Sequence, residues 1–335
     1  MPLILAGMVL TGLFTFIFPL NIGFLWLLVD VGILIAITNS LTQMWKSLVP
    51  DLIPLERRGR INTLLTVMTP IGSGIIWIPS LITLLVNGGS MLGEITIIQF
   101  GSIILAIMGI AAFPLVHEPP VVKPPIGWTN DLRQTLQWSE LKMQGNFLKL
   151  FFANFFLNAS GNAIFLNLFN FVSSINFEWS QVETYIIYGA IAATVMGIGI
   201  YFLGRSIDKI GRKWITAVGF AFAPLGAMVL AFSNGSILLL MMGFAAFFPF
   251  FWAGSTAFTV WQQDILPPDK RARFFGLINI TSAIGTAVGG YAASVVADRF
   301  GVPWIFPVAA LFLLASLPII SRVPETLVKS EKTSK

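Results

Sequence analysis

Ten apolar runs, each long enough to cross a bilayer as a helix, constrain what this chain can fold into. They fall at residues 2–19, 22–46, 61–86, 95–115, 147–173, 183–203, 214–232, 236–262, 274–297 and 303–321. A hydrocarbon core of roughly 30 Å needs about 20 residues at a helical rise of about 1.5 Å each. Every backbone donor and acceptor must also be satisfied within the segment, which selects helices. The first run resembles a signal peptide in position, but it lacks a basic leader and a clear small-residue cleavage site, so it is read as a helix. The fold class predicted is therefore an all-α, multi-pass membrane protein with about ten transmembrane helices.

Charge placement supports that reading. Only 10% of the 335 residues are charged and 56% are hydrophobic, too few polar groups to cover a water-facing exterior. Alternating the loops between the two faces puts nineteen of the twenty Lys and Arg residues on one side, from Lys46 and Arg57 to Lys335. Only Arg299 lies opposite, with Glu94, Glu178 and Asp298. Such asymmetry makes the basic face cytoplasmic and puts both termini there. It also explains the net charge of +5 without a nucleic-acid partner. The absence of cysteine and the single His117 exclude disulfides, thiolate chemistry and a Cys or His metal cluster, and no cofactor is expected. Trp45, Trp77, Trp179, Trp214, Trp261 and Trp304 fall near span ends, where interfacial indoles collect.

An internal repeat divides the chain. Asp51-Leu-Ile-Pro-Leu-Glu-Arg-Arg58-Gly-Arg60 matches Asp264-Ile-Leu-Pro-Pro-Asp-Lys-Arg271-Ala-Arg273 at an offset of 213 residues, and the match continues from Thr69-Pro-Ile-Gly72 to Ser282-Ala-Ile-Gly285. A second motif, Gly204-Arg-Ser-Ile-Asp208-Lys209-Ile-Gly211-Arg212-Lys213, lies in a basic loop between two spans. Its glycines are expected to make a tight turn, and Asp208 to accept hydrogen bonds from a helix N-terminus or to pair with an arginine. With the duplicated halves, this motif resembles the major facilitator superfamily over essentially the whole chain. The resemblance implies two helical bundles, and a cytoplasmic gate built from Gly204, Asp208, Lys209, Gly211 and Arg212 together with Asp51, Arg58, Arg60, Asp264, Arg271 and Arg273. Residues 1–116 would form an incomplete four-helix bundle, 117–146 a cytoplasmic linker, 147–321 a six-helix bundle and 322–335 a cytoplasmic tail. The first-half counterpart of Gly204 would precede residue 1, so the chain is expected to lack the first two helices of the pattern. Within the linker, Trp128, Leu132 and Leu136 are spaced for an amphipathic helix on the inner leaflet.

Polar residues inside spans are the candidates for solute recognition. Asn154, Asn158, Asn162, Asn167 and Asn170 keep to one face of their helix, which must line a wet cavity or a helix contact, because amides facing lipid are costly. Gln99, Trp252, Thr256 and Gln262 are further cavity candidates, with Ser255 and Thr259. Asp30 is the acid set well inside a span, the candidate for proton coupling or cation recognition; the alternative is an acid reaching water through a cavity mouth. Gly72, Gly74, Gly285, Gly289 and Gly290 are expected to permit close helix packing.

These residues point to a secondary-active carrier of a small organic solute by alternating access, with no phosphate-binding loop for nucleotide energy. A coupled proton or cation and the lipid bilayer are the other expected partners, and a monomer is expected. A transport-incompetent truncated family member and an integral membrane enzyme remain as alternatives. The latter would need intramembrane His, Cys or paired acids.

Overall fold

The computed structural model describes residues 2–20, 23–68, 91–115, 145–165, 167, 171, 182–233, 236–266 and 271–327. The amphipathic linker segment, Gly72, Gly74, Trp77, Trp179, Asn170 and the last tail lysines lie outside them. Among the described residues there are helices and no strands. They are α1 Pro2–Ile17, α2 Phe24–Leu52, α3 over 58–68, α4 Met91–Leu115, α5 Gly145–Phe165, α6 Val182–Ile210, α7 Arg212–Ala231, α8 Ile237–Ile265, α9 Arg271–Phe300 and α10 Ile305–Ser321. Each coincides with one of the apolar runs or its described part. Short 3-10 turns at Phe18–Leu20, Leu55–Arg57 and Val302–Trp304 lie between helices.

Two compact units emerge, residues 1–52 with 68–125, and residues 53–67 with 126–335. In the first, α1 packs mainly against α4, with α2 alongside. In the second, α7 packs on α8 and α10, α5 on α9 and α10, and α6 on α8. The core there is aromatic: Phe220, Phe247, Phe258, Trp261 and Phe306 are buried together with Leu150 and Leu313. Small residues set the α5–α9 distance. A Cβ on Gly285 or Gly289 would run into the backbone carbonyls of Phe155 and Ala159 on α5, so only glycine allows the backbones this close.

Among the described residues, four helices are long and apolar enough to cross a membrane by length and composition: 212–231, 237–265, 274–300 and 302–321. Their outward faces remain greasy, with Leu225, Leu238 and Leu311 all more than half exposed. In water such a surface would aggregate, whereas lipid is its natural solvent. Trp261 departs from the interfacial expectation. It is fully buried, and its indole N–H donates to the Pro324 carbonyl at 3.0 Å, because a chain segment beyond the last helix folds back over it.

Candidate functional site

Four charged side chains interlock where α3 meets α6, α7 and α8 in the second unit. Helix α3 begins at Arg58, so the N–H groups of Gly59 and Arg60 lack intrahelical acceptors. The Asp208 carboxylate of α6 takes both, at 3.0 and 2.9 Å, and places a negative charge at the positive end of α3. Asp264, near the C-terminus of α8, has a fully buried side chain held between two guanidinium groups. Arg58 Nη1 donates to one oxygen at 2.7 Å, and Arg212 Nε to the other at 3.0 Å. Arg212 also lies 3.4 Å from Asp208 and donates to the carbonyls of Leu55 and Ile207 at 2.7 and 3.3 Å. Two acids and two arginines thus balance in a dry site, where an unpaired member would cost several kcal/mol.

Amides and hydroxyls extend the contact along α3. Asn62 donates to Gln263 at 3.1 Å, and the hydroxyls of Thr66 and Thr256 meet at 2.8 Å. Gly204 lies inside α6 rather than in a turn, and Thr63 fills the place that its Cβ would need. The turn expected of this motif is made by Gly211 alone, whose φ of +125° is strained for any other residue. Gly204 is therefore needed for close approach and Gly211 for backbone conformation.

The chain segment after α10 completes the latch, which sequence reading missed. Glu325 accepts the first two N–H groups of α7, from Arg212 at 3.0 Å and Lys213 at 2.9 Å, as Asp208 does for α3. The Thr326 hydroxyl reaches Asp264 at 3.3 Å. Lys213 and Lys149 donate to the carbonyls of Ser321 and Arg322, placing cations at the C-terminus of α10. An acid directly after a proline in a basic tail, Val323-Pro324-Glu325, was the available signal.

The remaining candidates are spread more widely. Asn154 has its amide nitrogen within reach of Ile278 O, Thr281 Oγ1 and Ser282 Oγ on α9, at 3.2, 3.1 and 2.8 Å, and so ties α5 to α9. Asn162 donates to Thr286 O at 2.8 Å across the same contact, whereas Asn158 and Asn167 bond back to their own helix turn. Trp252 stacks at a tilt on Phe165 and edge-on to Phe251, and Gln262 is buried with no hydrogen-bond partner for Nε2 among the described residues. Asp30 is buried in α2 and Gln99 half-buried in α4, both in the first unit. Asp51 is exposed at the end of α2, Arg271 is buried at the start of α9, Arg273 is on the same helix turn and Lys209 is exposed. Among the described residues no group of three or more His, Cys, Asp or Glu could hold a metal ion.

An apolar helical bundle carrying a charged latch at its helix ends defines a class, the all-α multi-pass membrane proteins with two-bundle architecture. The sequence profile described as Major Facilitator Superfamily matches residues 1–263 and 193–335, and the chain belongs to that family. Membership points to a transporter rather than an enzyme. The chain is 23% identical over 160 residues to the MFS-type transporter ucsD of an Acremonium species, a match covering 44% of this chain and 25% of that protein. The matched part thus spans about a quarter of that curated relative's length. Among solved structures, the proton:xylose symporter XylE is similar with a TM-score of 0.70 at 12% identity, covering 96% of this chain and 80% of that one. The E. coli fucose:proton symporter FucP gives 0.65 at 13%, with coverage of 96% and 84%. The human organic anion transporter TETRAN gives 0.65 at 13%, with coverage of 95% and 76%. At these identities the likeness is one of fold.

Proposed function

We propose that the chain is a secondary-active carrier of a small organic solute, working by alternating access, and that the latch is its cytoplasmic gate in the closed state. The observation carrying this reading is the pair of bonds from α3 to the second half of the chain, Asp208 to the first N–H groups of α3 and Arg58 to Asp264. Both use residues of the repeated motifs. Both are polar bonds at helix ends that can break and re-form as water enters the site, unlike the aromatic core behind them.

The two halves would be the four-helix segment 1–116 and the six-helix bundle 147–321, joined by a cytoplasmic linker at 117–146 and followed by a cytoplasmic tail, in the cell membrane. Sugars and organic anions are the favoured solute classes, since the similar structures are those of sugar symporters and an organic anion transporter. Asn158, Asn162, Trp252, Thr256, Gln262 and Gln99 would line the route, with Asp30 coupling a proton or cation to it. The test is uptake into reconstituted vesicles, after a thermal-shift screen has identified a stabilising solute. Concentrative uptake driven by an imposed proton gradient is expected, and Asp30→Asn should abolish it while leaving solute exchange. Absence of both uptake and exchange for every stabilising solute would overturn the carrier reading.

A further inference from the structure

We propose that Arg60 and Arg205 bind the phosphate of an anionic glycerophospholipid on the flank of the latch, and that this lipid holds α3 against α6. Between these helices lies a cavity of about 380 Å³ lined by Arg60, Ile61, Leu64, Val67, Tyr201 and Arg205, with Thr63 at its floor. Both arginines are exposed, and no acidic side chain lines the cavity. The contrast with the latch is informative. Arg58 and Arg212 are buried and matched to carboxylates, whereas among the described residues neither Arg60 nor Arg205 makes a salt bridge.

Charge gives way to apolar surface with depth along both helices. Leu64 and Val67 lie one and two turns from Arg60, and Tyr201 one turn from Arg205, so both helices pass from guanidinium to apolar side chain in the same direction. The apolar strip continues on α6 beyond the cavity, with Ile198 about half exposed. Charge at the span ends and a greasy wall above it complement a phosphodiester headgroup with its acyl chain, whereas a free anion would leave the apolar wall uncovered. Gly204 packs against Thr63 at the cavity floor, so a phosphate bridging the two arginines spans the seam the latch must open. Occupancy therefore favours the closed gate.

The inference needs the chain in lipid, not the transport of any solute, so its test reads binding rather than uptake. The full chain purified in detergent is titrated with phosphatidylglycerol, with a diacylglycerol of matching chains and with inorganic phosphate, following melting temperature and bound lipid by native mass spectrometry. Phosphatidylglycerol alone should bind and stabilise. Affinity should fall by about a hundredfold or more in R60Q/R205Q, since each of the two lost charge-assisted bonds is worth about a tenfold factor or better. The single variants should lie between, and R60K/R205K should lose less than the Gln pair. Equal phosphatidylglycerol binding by the wild type and the single or double Gln variants would overturn the proposal. So would equal stabilisation by diacylglycerol, or by inorganic phosphate alone.

Discussion

Replacing Arg58 by Gln should open the latch without unfolding the helical bundle. Arg58 donates to Asp264 at 2.7 Å from the start of α3, and Arg212 neutralises the same carboxylate from within the bundle at 3.0 Å. In the proposed gate, opening would separate the first pair and leave the second intact. Loss of one hydrogen bond between charged groups costs about 1.5–3 kcal/mol, and each 1.4 kcal/mol is tenfold, so the open population should rise roughly 10- to 150-fold. Because the chain has no cysteine, a single Thr66→Cys reports the opening cleanly. Thr66 is half-buried against Thr256 in the closed latch, and its labelling by a membrane-impermeant maleimide follows the open fraction. The R58Q labelling rate should rise by that factor while the melting temperature stays near that of the reference. An unchanged rate, or a collapse of thermal stability, would refute the division between gate and bundle contacts.

Three further substitutions test other parts of the account. Arg212→Gln removes one of the two guanidinium partners of buried Asp264, the ion pair to Asp208 and the donor to two carbonyls in a dry site, so stability should fall by about 3–5 kcal/mol, far more than for R58Q; equal melting temperatures for the two would contradict the assignment. Glu325→Gln weakens the cap on α7 by about 1 kcal/mol, so the amides of Arg212 and Lys213 should exchange roughly fivefold faster, and unaltered protection would show that the cap is idle. Gly289→Val drives a side chain into the Ala159 carbonyl and should destabilise by about 1–3 kcal/mol, whereas Gly276→Ala, with open space at its Cβ, should be neutral or mildly stabilising. Similar melting temperatures for these two glycine variants would remove the close-packing argument for α5 and α9.

Much of the fold was legible because its signals are local. Lipid tests each segment for greasiness separately, so the apolar runs could be read one by one, and α7 to α10 fall on them. The repeat and the Gly204 motif likewise named Asp208, Arg58, Arg212 and Asp264 before any contact was known. Their partners were not legible. Gly204 looks like a turn residue until Thr63 is found beside it, and Trp261 looks interfacial until Pro324 covers its indole. Asn154 reads equally as a cavity residue or a helix contact until α9 presents three acceptors. The sequence by itself determined the solvent, the helices and the charged residue types at their ends, because hydropathy and helical spacing act over neighbouring residues. Tertiary structure alone decided which carboxylate caps which helix and which arginines stay exposed, because those bonds join residues some 150 to 200 positions apart along the chain.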